Sequence, residues 1–436
     1  MYSSRRVSNP PVRVLSVAIS LVLIVVLLTP KVSLADSVTA TVKVGTEPEG
    51  VTFDPTNGYL YVANYGSDVV SAINGTTNAV VTNVTVGTGP DRIVFDPTNG
   101  YLYVANYGSD MISVISGSTN AVVTNVTVGT HPEGGAFDTA NGYVYVANWG
   151  SGTVSVISGS TNTLVTTVTV GTHPDKIAFD PTNGYLYVAN YGPGSGLGTV
   201  SAGTVSVISG STNTLVTTVT VGKGPQCVAF DSTNGDVYVA NAGSADTYSD
   251  TVSVISASTN AVIANVTVGS NPYGVAFDSA NGEIYVTNTL SDSVSGISAS
   301  TNTVVANVTV GIGPDGVAFD PTNGHLYVAN FGSGTVSVIT PASSTTTTTT
   351  STTSSTSTSS TTSTTTSTCT LGPYCVGSTT STTPTKSSTS SSTSSSSSGI
   401  PEFPAQLGLA LLVTVVIVMS YVFARRGLRV DEQAPA

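Results

Sequence analysis

Apolar and polar residues alternate in short segments through the middle of the chain, and turns rich in glycine and asparagine separate the segments. One such unit contains Gly135 to Phe137, an Asn141-Gly142 turn, Tyr143 to Ala147, Thr153 to Ile157 and Leu164 to Val170. Aromatic and β-branched residues bounded by such turns predict short strands, and Asn-Gly between two of them predicts a hairpin. The units have no helical period of 3.6 residues. Each unit is therefore predicted to form four strands.

The unit occurs seven times between Val44 and Ile339, at intervals of 42, 42, 42, 51, 47 and 42 residues. Each copy contains a Phe-Asp pair followed by a Tyr-Val-(Ala/Thr)-Asn tetrad. The pairs begin at Phe53, Phe95, Phe137, Phe179, Phe230, Phe277 and Phe319, and the tetrads begin at Tyr61, Tyr103, Tyr145, Tyr187, Tyr238, Tyr285 and Tyr327. A period of this length suits one blade of a propeller, so we predict an all-β, seven-bladed β-propeller over residues 36–341.

The two ends of the repeat region complement each other. The seventh copy stops after Thr335 to Ile339 and lacks a fourth strand, whereas Val38 to Val44 precedes the first copy and resembles the fourth strands elsewhere. We therefore predict that the N-terminal strand completes the last blade and closes the ring, which removes its open edges. Residues common to all copies, such as the Phe-Asp pairs, are predicted to be structural, with Phe in the core and Asp capping a turn.

The tetrads, together with Val-Gly-(Thr/Lys/Ser/Ile)-x-Pro before each Phe-Asp pair, resemble the YVTN family of β-propeller repeats of archaeal surface-layer-type proteins. The resemblance covers Val38 to Ile339. It implies a seven-bladed propeller displayed on a cell surface.

Both ends of the chain carry apolar segments. Residues 1–35 combine Arg5, Arg6 and Arg13 with an apolar run and Ser33-Leu34-Ala35, which predicts a secretory signal peptide cleaved before Asp36. A twin-arginine signal is the alternative. Residues 405–424 are long enough to form a transmembrane helix, and the arginines in the tail, 425–436, predict that the tail is cytoplasmic. The propeller is then extracellular and anchored in the cell membrane.

Residues 342–399 consist mostly of serine and threonine, a composition that cannot bury a core and is typical of glycosylated stalks. In this segment Cys369 and Cys375 could form a disulfide outside the cell. Residues 400–404, Ile-Pro-Glu-Phe-Pro, resemble with the following helix an archaeosortase sorting signal, which implies that a lipid could replace the helix. Five sequons predict N-glycosylation: Asn74, Asn83, Asn125, Asn265 and Asn307.

Charge limits the partners. Residues 36–341 contain 21 acidic residues and four basic ones, a net charge of −17. A surface of this sign repels nucleic acid, so we expect none as a partner. Cell-envelope proteins, glycans and cations remain as partners. The oligomeric state is left open, and we expect no cofactor.

Two loops of each blade vary between copies and are predicted to share the face at the channel mouth. One follows the fourth strand and the other follows the tetrad. The two loops and the insertions near residues 192–203 and 244–249 supply the candidate ligand-binding residues: Glu49, Asp91, Glu133, Asp175, Lys176, Gln226, Asp315, Tyr65, Tyr107, Trp149, Tyr191, Tyr248 and Phe331. Aromatic rings with carboxylates suit carbohydrate stacking or cation capture. The alternative is that the rings only cover loop glycines.

The sequence leaves three functions open. We expect a non-enzymatic surface protein that acts in adhesion or ligand binding. The rival is an extracellular propeller enzyme, such as a lactonase, lyase or quinoprotein, and the third possibility is a passive envelope component. His131 and His173 occupy equivalent positions in adjacent blades and could contribute to a metal site, but they lack a visible supporting shell.

Overall fold

Seven antiparallel sheets of four strands each make up the part of the chain that the computed structural model describes, residues 35–193, 202–244 and 247–342. In six of the sheets the strands follow one another in sequence, from an inner strand beside the central channel to an outer strand at the rim, and in the seventh the outer strand comes from the N-terminal end of the described residues. Seven such blades form a seven-bladed β-propeller, as the repeat predicts.

The strands have the following bounds. Blade 1 contains β2 (Pro48–Asp54), β3 (Tyr59–Asn64), β4 (Val69–Asn74) and β5 (Ala79–Thr85), with a single 3₁₀ turn at Tyr65–Ser67. Blade 2 contains β6 (Pro90–Asp96), β7 (Tyr101–Asn106), β8 (Met111–Ser116) and β9 (Ala121–Thr127). Blade 3 contains β10 (Pro132–Asp138), β11 (Tyr143–Asn148), β12 (Thr153–Ser158) and β13 (Thr163–Thr169). Blade 4 contains β14 (Pro174–Asp180), β15 (Tyr185–Asn190), β16 (Ala202–Ser209) and β17 (Thr214–Lys223).

Blade 5 contains β18 (Pro225–Asp231), β19 (Asp236–Ser244), β20 (Thr247–Ser256) and β21 (Ala261–Thr267). Blade 6 contains β22 (Pro272–Asp278), β23 (Glu283–Asn288), β24 (Ser293–Ser298) and β25 (Thr303–Thr309). Blade 7 contains β26 (Pro314–Asp320), β27 (His325–Asn330) and β28 (Thr335–Thr340). Its fourth strand is β1 (Ser37–Lys43).

The N-terminal strand closes the ring, which confirms the prediction from the missing last strand. β1 pairs antiparallel with β28, from Ser37 opposite Thr340 to Lys43 opposite Thr335. Asp36 adds a side-chain contact, because its Oδ1 accepts a hydrogen bond from the Ala342 amide. The chain therefore enters and leaves the propeller at the same end of blade 7.

The hydrophobic core lies between neighbouring blades. One cluster, for example, joins Tyr103 and Ile112 of blade 2 to Phe137, Val144 and Ile157 of blade 3. Most of these side chains are fully buried, and full burial of one large aliphatic or aromatic side chain contributes about 1.5–3 kcal/mol. Because each sheet has a neighbour on both sides, its strands can be apolar on both faces.

Hydrogen bonds latch each blade to the next at the end of the ring that carries the Asn-Gly hairpins, here called the turn face. Tyr61 donates its hydroxyl proton to Asn120 Oδ1 of blade 2 over 2.7 Å, and Asn57 Nδ2 donates to the Gly117 carbonyl. Asp54 accepts the Thr56 amide and hydroxyl at Oδ1. The Phe-Asp pairs are thus structural, as predicted, and Tyr327 repeats the latch from blade 7 to Asn78 of blade 1.

Each blade also contains a β-bulge in its inner strand and another in its outer strand. In blade 2 the inner bulge places Asp91 and Arg92 together opposite Ala105. The outer bulge in the same blade leaves Val123 between the paired residues Val122 and Thr124. Bulges redirect side chains from the usual alternation of a strand, so the two bulges determine what the channel and the rim expose.

Several sequence predictions fall outside the described residues. These are the signal peptide, the Ser/Thr stalk with Cys369 and Cys375, the sorting motif, the transmembrane helix and the tail. The residues that the structure does describe include no helix with the length and apolar character needed to cross a membrane. Cys227 is a free, buried cysteine within a core cluster.

Candidate channel-mouth binding site

Two loops of every blade meet at the end of the ring opposite the turn face, here called the mouth face. The residue after each tetrad donates its amide proton to the carbonyl of the residue before the loop proline, as Trp149 does to His131 over 2.9 Å. The accepting residue has a positive φ in all seven blades: Glu47, Gly89, His131, His173, Gly224, Asn271 and Gly313. The left-handed conformation explains why glycine stands there in three blades. The paired loops fix the mouth geometry.

Aromatic side chains form an arc on the mouth face over blades 1 to 4. Tyr107 stacks on His131 with ring centroids 4.4 Å apart and an interplanar angle of 7°. Trp149 stacks on His173 at 4.7 Å and contacts Tyr191 at 5.3 Å with a tilt of 49°. Tyr65 lies 6.2 Å from Tyr107. These rings remain partly exposed, so part of their area is available to a ligand.

Carboxylates lie next to the arc, inside the channel. Five of the seven blades place an acidic residue directly after the loop proline, at the inner bulge: Glu49, Asp91, Glu133, Asp175 and Asp315. Four of the five are at most 8% exposed, and Glu49 is partly exposed. The next residue is glycine in four blades because the inner strands approach closely there. A Cβ at Gly316, for example, would overlap the carbonyl oxygen of Glu49.

Two basic side chains and one tyrosine extend into the ring of carboxylates. Arg92 of blade 2 donates from Nη2 to Asp315 of blade 7, and its Nε lies 3.4 Å from Asp91. Its guanidinium carbon lies 5.5 Å from the ring centroid of Tyr273 in blade 6. Lys176 of blade 4 places Nζ 5.1 Å from the same centroid. Cation–π attraction and ion pairing therefore hold both cations in the channel.

Burial changes the protonation of this ring. It raises the pKa of Glu49 well above the usual value, and the charges of Asp91 and Asp315 raise it further. Burial likewise raises the pKa of Glu133, with added repulsion from Asp175. Burial raises the pKa of Asp175 to about 7, against the opposing effect of Lys176 and Arg92. At neutral pH the ring therefore carries fewer negative charges than its five carboxylates imply.

Several buried polar atoms in the ring have no hydrogen-bond partner within the protein. Nη1 of Arg92 and Oε1 of Gln226 lack one. Asp175 is 1% exposed, and its carboxylate has its acidic neighbour Glu133 as side-chain hydrogen-bond partner, which requires a proton on one of the two groups. Buried polar groups in native proteins nearly always have partners, and leaving one unpaired costs about 1–3 kcal/mol. The ring thus contains a donor on Arg92 and an acceptor on Gln226 that have no partner in the protein.

A cavity of about 160 Å³ lies in the channel beside the two cations. Arg92 and Lys176 line it together with Cys227, and the remaining lining is glycine, valine and isoleucine from the inner strands. The cavity is therefore apolar on most sides and cationic on one. Its size admits a few waters or a small organic group.

The structure brings most of the predicted residues together. Glu49, Asp91, Glu133, Asp175, Lys176, Gln226 and Asp315 occupy the inner-bulge positions, and Tyr65, Tyr107, Trp149 and Tyr191 form the arc. Phe331 occupies the equivalent loop of blade 7, and Tyr248 lies 58% exposed on an extended hairpin of blade 5. Lys223 is exposed and pairs with Ala202 at the end of β17.

Arg92 and Tyr273 lie outside the set of ligand-binding residues predicted from the sequence. Both vary between blades, which is the signal that selected their neighbours, but neither fits the acidic or outer aromatic class. His131 and His173 stack on aromatic rings instead of converging on carboxylates. Over residues 35–342, apart from the two short gaps, no group of three or more His, Cys, Asp or Glu residues has a geometry that could hold a metal ion.

No protein-family model and no curated protein matches this chain. Among solved structures, hydrazine synthase of Kuenenia stuttgartiensis is similar with a TM-score of 0.62 and 20% sequence identity, over 68% of this chain and 96% of that chain. That neighbour is a propeller as well. At this identity the likeness shows the β-propeller fold alone.

Proposed function

We propose that this protein is a cell-surface binding protein that binds glycans of the cell envelope at its channel mouth. The observation that carries the proposal is a ring of buried polar groups at the mouth, in which Nη1 of Arg92 and Oε1 of Gln226 have no partner in the protein and the Asp175 carboxylate has only acidic Glu133, bordered by an aromatic arc. A sugar supplies hydroxyl protons to such acceptors, and its own oxygens can accept from Arg92. The same ligand could satisfy Gln226 Oε1 with a further hydroxyl.

The aromatic arc supports a sugar more than a metal ion. Tyr65 and Tyr107 present partly exposed ring area near Glu49, Asp91 and Glu133, and Trp149 and Tyr191 extend the arc. The apolar face of a pyranose packs on such rings. Arg92 and Lys176 already neutralise part of the acidic ring, which reduces its attraction for divalent cations. A neutral, polyhydroxylated ligand suits this combination of charges.

The path of the chain supports a mouth face that is directed away from the predicted membrane anchor. β28 runs from Thr335 at the mouth face to Thr340 at the turn face, and Ala342 follows there. Attachment through the segment after Ala342 therefore leaves the mouth face on the opposite side from the point of attachment. The predicted stalk and transmembrane helix would provide that attachment, and the resemblance to YVTN-family surface proteins agrees with it.

The proposal can be tested by glycan binding. The full-length protein, purified in detergent, is applied to an array of envelope-type glycans as wild type, Trp149→Ala and Asp175→Asn. We expect both variants to lose at least tenfold in affinity for the glycan that the wild type binds. Tyr143→Ala is the matched control, because Tyr143 belongs to the same blade but lies at the turn face; it should bind as the wild type does. Equal binding by all four proteins would contradict a mouth site.

Surface anchoring requires a separate experiment. A chain that ends at Ala342 should appear in the culture medium, whereas the full chain should stay with the cells. Retention of the shortened chain on cells would show that the anchor lies elsewhere. The rival of an extracellular enzyme stays a prediction, and the site favours binding because its two cations are already engaged with carboxylates and Tyr273.

A further inference from the structure

The rim of the propeller exposes apolar side chains at one repeated position. In six blades the residue at the outer-strand bulge is a valine or isoleucine that is about half exposed: Val81, Val123, Val165, Val216, Ile263 and Val305. The bulge displaces this residue from the ladder, so it points away from the blade. In blade 7 the equivalent residue is Thr39. Half-exposed β-branched residues thus recur at one position around the rim, and exposed apolar area of this kind is a feature of interaction sites.

The outer strands of blades 3, 4 and 7 lack a sequon that the outer strands of the other four blades carry. In blades 1, 2, 5 and 6 the second residue after the bulge residue is an exposed asparagine that begins an Asn-Val-Thr sequon: Asn83, Asn125, Asn265 and Asn307. In β13 and β17 this position is Thr167 and Thr218. N-glycans at the predicted sites would cover the rim of four blades and leave that of blades 3 and 4 uncovered.

Blades 3 and 4 also expose the largest apolar surface on the rim. The residue before the bulge is leucine only in these two blades, and Leu164 and Leu215 are 44% and 45% exposed. Their counterparts Val80 and Val122 are smaller and 37% and 36% exposed. The first seven residues of both strands have the same sequence, Thr-Leu-Val-Thr-Thr-Val-Thr. Two adjacent blades thus carry the same outer-strand sequence side by side.

Charge indicates what can cover this surface. Those seven-residue segments contain no charged residue, although residues 36–341 carry a net charge of −17. Two copies of so acidic a protein repel each other over most of their surface, and the repulsion is weakest where neither presents carboxylates. A basic partner would gain no ion pair there. The rim of blades 3 and 4 is consequently suited to a second copy of the same chain.

We propose that β13 and β17 form a self-association surface through which two copies of this chain meet rim to rim. A twofold axis between the two blades places β13 of one copy against β17 of the other, and the reverse, so the identical segments pack as equivalent pairs. Leu164, Val165, Leu215 and Val216 are the apolar side chains buried by the contact. The biological setting of this contact rests on the surface display and glycosylation proposed above. The contact itself does not depend on them.

The contact should be weak in solution. A stable interface buries about 1,200–2,000 Å² in total, and four half-exposed aliphatic side chains on each copy supply only part of that area. Copies anchored in one membrane have a much higher effective concentration, so a weak contact suffices there. Full-length protein in its membrane is therefore the material to test.

Cysteine cross-linking reports weak contacts. In full-length protein with Cys369→Ser and Cys375→Ser, Val165→Cys and Val216→Cys are introduced together, since Cys227 is buried and leaves the new thiols as the reactive ones. Membranes are treated with a short bismaleimide. We expect covalent dimers at a yield at least fivefold above that of the matched control, Val81→Cys with Val123→Cys on blades 1 and 2. Expression in a host without N-glycosylation keeps the outer strands of all blades free of glycan, so both pairs of positions are compared under the same conditions.

Equal yields at the two pairs of positions, or no dimer at either, would overturn the proposal. A cross-link to a different protein would also overturn it, because the occupant would not be a second copy. None of these outcomes depends on glycan binding at the channel mouth. Trp149→Ala, which removes one ring of the aromatic arc, should leave cross-linking unchanged, so failure of the proposed function and failure of self-association are distinguishable.

A second pair of variants uses the chain's own repeat. Thr167→Asn and Thr218→Asn each create Asn-Val-Thr, the sequence that four other blades carry at the same position. The fold should accept both changes for that reason. In a host that attaches N-glycans, cross-linking through Val165→Cys and Val216→Cys should fall at least fivefold, and in a host that does not, it should persist. Unchanged cross-linking despite confirmed glycans would contradict the proposed surface.

Discussion

Buried polar residues occur at both ends of this propeller, but they differ in whether they repeat from blade to blade. At the turn face, Tyr61 and its equivalents find a partner in the next blade in every case. Some turn-face oxygens lack a partner, namely Oδ2 of Asp54, Asp180, Asp231 and Asp320, but they belong to the Phe-Asp pair that every blade repeats. At the mouth face, the unpaired atoms of Arg92 and Gln226 stand at positions that vary between blades. The repeated latches hold the ring together, whereas the varying positions give the mouth its individual chemistry.

A substitution also has different consequences at the two ends. A latch at the turn face joins one blade to the next, so a substitution removes a bond that the ring needs. At the mouth face, Asp91 and Arg92 lie at a bulge that faces the channel, and a substitution there changes the channel and leaves the blade interfaces intact. The following experiments test this contrast, from the largest expected effect to the smallest.

Removal of the closing strand should have the largest effect. A mature chain that begins at Val44 loses the pairing of β1 with β28, the buried Val42 and the contacts of Asp36. We expect the free energy of unfolding to fall by roughly 5 kcal/mol or more, from the lost ladder and apolar burial. Thermal unfolding and limited proteolysis measure this loss. Addition of a peptide of residues 36–43 should restore part of it, and a truncated chain as stable as the full one would show that closure is dispensable.

Replacement of Asp175 should stabilise the protein at alkaline pH. Its pKa of about 7 lies above the usual 3.8, so between these values the folded state binds a proton that the unfolded state releases. Stability from this group therefore falls as pH rises through that window. Asp175→Asn should remove this fall and raise the free energy of unfolding at pH 8 by roughly 2–4 kcal/mol. Urea titrations at pH 5 and pH 8 would show it.

The control for this experiment is Asp68→Asn, which changes a carboxylate on a mouth-face turn that accepts the amide of Gly89. We expect similar stability changes at both pH values for this variant. Glu49 and Glu133 also have raised pKa values, so part of the slope should remain in Asp175→Asn. A variant less stable than the wild type at pH 8 would mean that the Asp175 charge is needed for folding and would remove the contrast between the two ends.

Loss of one latch should have a smaller effect. Tyr103→Phe keeps the buried ring but removes the hydroxyl that donates to Asn162 Oδ1 over 2.6 Å. We expect a loss of about 1 kcal/mol in the free energy of unfolding, typical of one net hydrogen bond. Tyr101→Phe is the control, because Tyr101 lies partly exposed on the same strand. Equal losses in the two variants would indicate that the latch contributes nothing specific.

A substitution on the mouth rim should affect stability least. Tyr248 is 58% exposed on the extended hairpin of blade 5, so Tyr248→Ala should change the free energy of unfolding by less than about 0.5 kcal/mol. If the hairpin borders the ligand, glycan affinity should nevertheless fall. Calorimetry and array binding on the same preparation separate the two effects. A large loss of stability would show that the rim belongs to the scaffold.

Much of the fold follows from the sequence because it is periodic. The intervals between Phe53 and Phe319 give the number of blades, and the unmatched segment Val38 to Val44 gives the closure. The repeated loops also place the acidic and aromatic residues on one face. These inferences depend on the spacing of residues within a repeat, which the chain displays directly.

The interior of the site could not be obtained in the same way. Arg92 reaches Asp315 across 223 positions of sequence, and the two residues belong to blades that are not adjacent. Their contact depends on the width of the channel and on a bulge that redirects two consecutive side chains. The unpaired atoms of Arg92 and Gln226 likewise depend on which side chains the other blades place near them in the channel. Neither feature has a local sequence signal, since both arise from the closed ring.

The position of β28 in its sheet has a mechanical consequence. The strand lies between β1 and β27, so both of its edges are hydrogen-bonded, and the chain leaves the propeller from its end at Ala342. A pulling force applied there along the strand must shear two ladders at once, whereas an outer exit strand would be peeled from a single one. The N-terminal strand thus reinforces the point at which a tether would transmit load, and the ring would resist detachment by flow or by neighbouring cells.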